Sequence, residues 1–308
     1  MRRISAAAVG LALVAAMAAT VIGGMGQGTE TARPKITGIA YVRIKITDAD
    51  ADGVFYKRVL RLPQIRSGCF GPDSECLSIN LFQQIDLVKV AGPSTGRQID
   101  SVGLFTSDVR GLRLYLQKRG WQTAELKRGS FITSFETQDP EDNRLVFIQL
   151  MGEGLANSIS GRPPIAARLI HAGFVVRDRE KMDSFYKNVL GFHVYWHGGM
   201  KEGETNWVDM QVPDGTDWVE YMLGVPADAD KRLLGIMNHI ALCVPSVKSA
   251  DEQLENAGVK LTEDPKIGRD GKWQLNLYDP DQTRVELMEF TPTEKPCCSE
   301  YTGKHPGP

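Results

Sequence analysis

Four short pieces between Arg168 and Phe290 decide how this chain is read: RLIHAGFVV (168–176), TDWVEYML (216–223), IMNHIALCV (236–244) and TRVELMEF (283–290). Their β-branched and apolar content reads as strand, and alternate residues of a strand face the same side. One face then carries Leu169, His171, Gly173 and Val175; Trp218, Glu220 and Met222; His239, Ala241 and Cys243; and Arg284, Glu286 and Met288. The opposite face is almost purely apolar, with Val219, Tyr221, Ile240, Leu242, Val285 and Leu287 suited to packing against helices. A His or a Glu stands mid-face on every piece, which predicts a sheet curved around a divalent cation. Two neutral imidazoles and two carboxylates balance such an ion, and octahedral geometry leaves two positions for water or substrate.

The surrounding chain repeats itself. FYKRVL at 55–60 recurs as FYKNVL at 185–190, and DPEDNRLVF at 139–147 recurs as DPDQTRVEL at 279–287, copies 130 and 140 residues apart. Such a period indicates a duplicated domain. In each copy a strand, a helix and further strands follow one another twice. The first copy offers helices at DADADGVFYKRVL and DVRGLRLYLQKRG, the second at DREKMDSFYKNVLG and SVKSADEQLENAG. The remaining strands of the second copy are expected at FHVYWH, TNWVDMQV, VKLTED and WQLNLYD. The expectation is an α+β chain of two tandem domains, each a cupped mixed sheet with its helices outside. The domains span 35–150 and 167–290, joined by the Gly/Ser/Pro-rich linker 151–166 and followed by a polar tail at 291–308. All five histidines lie at or after residue 171. The offsets put Val146 at the place of Glu286, Ser101 near that of His239, and Ala40 or Tyr41 near that of His171. The first domain is therefore expected to lack a ligand set.

Composition narrows the class. With 308 residues, 42% hydrophobic and 24% charged, the chain has room for two domains, and a net charge of −2 gives no footprint for nucleic acid. Residues 1–26 begin with two arginines, continue as an Ala/Leu/Val run and offer Ala16-Met17-Ala18 as a cleavage site. That is the pattern of a secretory signal, with an N-terminal membrane anchor as the rival reading. The protein is thus expected outside the cytoplasm, periplasmic or extracellular. Five cysteines are too few for a disulfide scaffold. Cys69 and Cys76 could close a small loop or remain free thiols. The adjacent Cys297 and Cys298 are expected to pair poorly because of strain.

FYKNVLGF, NHIALCV and YDPDQTRVELMEF resemble the vicinal oxygen chelate superfamily, which includes glyoxalase I, extradiol dioxygenases, methylmalonyl-CoA epimerase and the bleomycin-resistance proteins. The resemblance runs from about Lys35 to Phe290 as four βαβββ units forming half-barrels. It implies one divalent metal held by His171, Glu220, His239 and Glu286, an order similar to that of glyoxalase I. The ion implied is Zn, Ni, Co or Mn, and Glu286 or Glu220 would move a proton on a small substrate chelated through adjacent oxygens. An extradiol dioxygenase would use Fe(II) on His171, His239 and Glu286 alone. Its expected tyrosine, ten residues before the last ligand, is Asn276 here. A sequestering protein of the resistance kind is a third reading.

Beside these ligands, Arg284 shares the face of Glu286 and is a candidate for binding an anionic substrate group. Trp218 flanks Glu220 on the cavity face as a weaker substrate-binding candidate, with core packing the leading reading for it and for Trp207. His193 and His197 are expected to share a face with Tyr195, from which they could reach substrate or lie on a surface. Cys243 reads as a buried, inert thiol. The partner expected is a small molecule, with a homodimer left open.

Overall fold

Residues 32–65, 69–151 and 163–308 are described by a computed structural model. The export segment expected over 1–26 and most of the linker lie outside them. Among the described residues no helix is long and apolar enough to cross a membrane.

Alternating apolar stretches form two eight-stranded mixed sheets. The first joins β1 (Ile36–Ile46), β2 (Gln64–Ile65), β3 (Glu75–Ser78), β4 (Gln84–Lys89), β5 (Ile99–Thr106), β6 (Lys127–Arg128), β7 (Ile132–Gln138) and β8 (Arg144–Leu150) in the order β2-β3-β4-β1-β5-β8-β7-β6. The second joins β9 (Arg168–Val175), β10 (His193–Gly198), β11 (Trp207–Gln211), β12 (Trp218–Met222), β13 (His239–Val244), β14 (Lys266–Ile267), β15 (Trp273–Tyr278) and β16 (Arg284–Glu289). Its order, β10-β11-β12-β9-β13-β16-β15-β14, reproduces the first. Helices α1 (Ala49–Gly53, continued as a π-helix over Val54–Val59), α2 (Val109–Lys118), α3 (Arg179–Tyr186), α4 (Lys231–Met237) and α5 (Val247–Asn256) each start behind a capping side chain. The caps are Asp48, Asp108, Asp178, Asp230 and Ser246, whose oxygens accept otherwise orphaned N–H groups. The outer faces of both sheets share one apolar core with α2, α3 and α5, to which Leu112, Leu116, Phe185 and Leu254 contribute.

Several local expectations change. VKLTED forms no strand, because its apolar residues Val259 and Leu261 pack individually onto the core while Lys266–Ile267 pairs with β15. Helix α4 was not anticipated. The apolar stretch INLFQQIDLVKV (79–90) reads as strand from its start but is strand only from Gln84, because Asn80 turns the chain by accepting from the N–H groups of Phe82 and Gln83. Cys69 is bonded to Cys76, and Cys297 to Cys298, against the expectation for the adjacent pair.

The halves are joined reciprocally. Tyr56 of the first FYK motif donates to Asp279 of the second DP motif at 2.9 Å, and Tyr186 donates to Asp139 at 3.1 Å. At a second pair of places, Asp217 accepts from the N–H of Ile39 at 2.8 Å and Gln83 accepts from that of Leu169 at 2.9 Å. The repeated motifs therefore hold one half to the other.

Candidate metal centre

Strand pairing brings the four predicted donors together. In the β9–β13 ladder His239 faces Gly173, in the β9–β12 ladder Glu220 faces Gly173, and in the β13–β16 ladder Glu286 faces Ala241. The Nε2 atoms of His171 and His239 lie 3.0 Å apart. Glu220 Oε2 is 3.0 Å from His239 Nε2 and 3.5 Å from His171 Nε2, while Glu286 Oε2 is 3.8 Å from each. Donors bound about 2.1 Å from one ion at tetrahedral or octahedral angles stand roughly 3.0–3.4 Å from each other. His171, Glu220 and His239 fit a shared ion on that measure, and Glu286 stands just beyond.

The protonation states suit the task. Burial drives both imidazoles well below their usual range, which keeps them neutral with a free lone pair. His239 Nδ1 lies 3.2 Å from the Met237 carbonyl, so donation there leaves Nε2 as the ligand atom. Glu286 is pushed up to about 7 by burial, with Glu220 and Asp270 adding like charge. Burial drives Asp209 well above the carboxylate range, with Glu220 as the main like charge.

Three groups in this cup escaped the sequence reading: Asp209, Asp270 and Lys272. Asp209 faces Glu220 across the β11–β12 ladder and could have been read from the alternation of TNWVDMQV. Lys272 is fully buried, its Nζ has no hydrogen-bond partner, and it lies 4.8 Å from the ring centre of Trp218. Fully ionised, Asp209, Glu220, Asp270 and Glu286 set against Lys272 and Arg284 leave two negative charges in a buried space, a balance that a divalent cation would complete.

Beside the donors opens a cavity of about 340 Å³ walled by Trp196, Trp207, Trp218 and Met288, with Arg284 and Asn276 on its border. Arg284 is half-buried with Nε unpartnered, and its Nη2 lies 4.0 Å from Glu286. His193 does not line this cavity; it lies beneath the C-terminal tail beside Gly303. Cys243 is a buried free thiol raised far above its usual range by burial. Glu289, three residues beyond Glu286, faces away from the donors and accepts from the N–H of Val247 at the start of α5.

Two bulges, invisible to simple alternation, shape the cup. Ala241 faces His171 but Leu242 faces Leu169, so Ile170 is the extra residue. It joins the inner cluster and turns Leu169 to the outer core, correcting the face assigned to Leu169. On β10, Val194 faces Met210 and Trp196 faces Asp209, which leaves Tyr195 extra. Tyr195 and Trp196 both point inward, and His197, opposite the core residue Val208, leaves the face it was expected to share.

The first cup shows the contrast. By register its counterparts of His171, Glu220, His239 and Glu286 are Tyr41, Asp86, Ser101 and Val146. Arg43 stands where the second cup has Gly173, supplying a permanent cation beside Asp86. Tyr41 Oη lies 3.3 Å from Ser101 Oγ. Phe70, in the loop closed by Cys69–Cys76, packs on Tyr41 and Phe105, while the Gly71 N–H donates to Asp86 at 2.9 Å. Among the described residues, His171, Glu220 and His239 are the group that could hold a metal ion.

The model of the glyoxalase/bleomycin resistance protein/dioxygenase superfamily matches residues 168–287. Human mitochondrial methylmalonyl-CoA epimerase is 29% identical over 119 residues, which cover 37% of this chain and 68% of that protein. Among solved structures, an extradiol ring-cleaving dioxygenase from B. fuscum superposes with a TM-score of 0.65 at 20% identity, covering 89% of this chain and 75% of that one. The homoprotocatechuate 2,3-dioxygenase of Arthrobacter globiformis gives a TM-score of 0.62 at 16% identity, over 88% and 83%. Residues 168–287 thus match the glyoxalase/bleomycin resistance protein/dioxygenase superfamily, and the two cups together have a tandem vicinal-oxygen-chelate fold.

Proposed function

We propose that the second cup binds one divalent ion (Zn, Ni, Co or Mn) through His171, Glu220, His239 and Glu286. The protein would then be an enzyme of the glyoxalase/isomerase kind, moving a proton on a small substrate that chelates through adjacent oxygens. The position of Glu220 carries this reading: its Oε2 lies 3.0 Å from one imidazole Nε2 and 3.5 Å from the other, which makes a fourth protein donor available. When bound, the ion would act as a Lewis acid that offsets charge developing on the substrate oxygens. Glu286 and Glu220 stand where one carboxylate can take a proton from carbon and return it. Arg284 Nε offers an unused donor to an anionic group of the substrate. The tryptophan walls give the cavity an apolar side on which the body of a substrate can pack. The similarity to an epimerase supports proton transfer.

The tandem architecture favours a second reading as an Fe(II) extradiol dioxygenase on His171, His239 and Glu286. Asn276 stands in place of the tyrosine expected for it and donates to Glu263 at 3.0 Å. A ligand-sequestering protein without catalysis is the third reading. Elemental analysis with a panel of 2-oxoaldehyde hemithioacetals, epimerisable 2-substituted thioesters and catechols tests all three. Glu220→Gln should abolish proton transfer; ring cleavage that survives it would establish the dioxygenase instead.

A further inference from the structure

The tail after β16 packs into the second cup. Ser299 Oγ accepts from the His197 N–H and donates to the His197 carbonyl, both at 3.0 Å, and the Thr302 N–H donates to the Tyr195 carbonyl at 2.9 Å. The outer edge of β10 is covered in this way. The Tyr301 ring packs tilted against Tyr195, centroids 4.7 Å apart, and its hydroxyl donates to the Asp270 carbonyl at 2.8 Å. The disulfide of Cys297 and Cys298 sits directly against the cavity wall. Trp196 Nε1 donates to the Cys297 carbonyl at 3.2 Å, the Cys297 N–H donates to the Arg269 carbonyl at 2.8 Å, and Arg269 Nη2 donates to Cys298 Sγ at 3.6 Å. Trp196, Arg269 and Asp270 all border the metal cavity. Cys298 has a φ of 72°, in the left-handed region that a residue with a side chain occupies only when its surroundings hold it there. A ring that closes two neighbouring residues is such a constraint.

We propose that the C-terminal tail buttresses one wall of the metal cavity and that the Cys297–Cys298 disulfide is its positioning element, holding the wall residues Trp196 and Arg269 where a chelating ligand meets them. That this wall sets ligand affinity rests on the metal-site reading; that the disulfide fixes the wall does not. Reduction by a phosphine or dithiol breaks the S–S bond, takes up two electrons and two protons and leaves two thiols. Cys298 is then free to leave the left-handed region, and the strap loosens from Trp196 and Arg269. The metal donors, on β9, β12, β13 and β16, stay in place.

Amide hydrogen exchange on the metal-free protein, before and after reduction by a phosphine that does not chelate, tests the wall. The amides of His197, Cys297 and Thr302 should exchange faster on reduction, in wild type and in a Cys69→Ser/Cys76→Ser variant whose only remaining bridge is the adjacent pair. Unchanged exchange, with free thiols counted to show that reduction occurred, overturns the proposal. Titration of the metal-loaded protein with 4-nitrocatechol, whose visible spectrum reports chelation, tests the effect on the site. Reduction should weaken this probe about tenfold, the scale of a lost preorganised wall, with metal content unchanged. A Cys297→Ser/Cys298→Ser variant should bind at the weakened level and ignore the reductant. An unaltered affinity overturns the claim on the ligand. Failure of the oxidised protein to hold any metal overturns the metal-site reading and leaves exchange to decide the wall.

Discussion

Gly173 and His239 face each other across the β9–β13 ladder, and a Cβ on Gly173 would overlap the His239 ring. The missing side chain is what lets the imidazole reach its neighbours. Gly173→Ala is expected to turn His239 aside and weaken metal binding by about 10- to 100-fold, the cost of a misoriented ligand, while circular dichroism stays unchanged; calorimetric metal titration measures it. The positions of His171, Glu220, His239 and Glu286 were legible because each interrupts an apolar strand face at a matching place, which period-2 reading detects. Lys272 was not, since it sits in the turn before β15 with no periodicity to mark it. Nor was Arg43 legible as the resident cation of the first cup, because strand register rather than sequence spacing puts it at the counterpart of Gly173.

Helix α1 carries Asp52, which is fully buried with both carboxylate oxygens unpartnered. Burial, with Asp279 and Asp281 as like-charged neighbours, raises it to about 7. The folded state thus holds this proton more tightly than the unfolded chain. The resulting stability is fully present below about pH 4 and is lost as pH rises to about 7. Asp52→Asn should flatten that window and stabilise the protein at pH 8 by about 1–2 kcal/mol after allowance for screening, read by denaturant melts at pH 5 and pH 8. The disulfide loop before β3 gives a second expectation. Phe70→Ala should leave metal content at one ion per chain, because Arg43, Tyr41 and Val146 still occupy the first cup. Two ions by elemental analysis would mean that Phe70 alone had kept a site closed. Helices α1, α2, α3 and α5 and the central strands could be read from amphipathic periodicity and Asp or Ser caps; the short α4 could not. The bulges at Ile170 and Tyr195 could not, since one residue too many in a ladder shows only when both strands are paired. The tail reads only as polar because Tyr301 and His305 are scattered among polar residues, yet both rings pack beside Tyr195.

For the molecule as a whole, the duplication seen in the letters FYKRVL/FYKNVL and DPEDNRLVF/DPDQTRVEL turns out to be a mutual clasp. Each Tyr–Asp bond spans the halves, and one apolar core runs through both. Calorimetry should therefore show a single unfolding transition for residues 32–308, and two resolved peaks would contradict the shared core. Tyr56→Phe should lower stability by about 1–3 kcal/mol by withdrawing a donor from the buried Asp279, measured as a shift in urea midpoint at constant slope. The clasp at Gln83 and Asp217 says something further about how the copies diverged. An amide does for Leu169 what a carboxylate does for Ile39: each delivers an oxygen to the backbone of the opposite repeat. The two descendants have kept an atom in space while letting the amino acid that carries it drift, so a comparison of the repeats by identity alone would score their closest functional kinship as a mismatch.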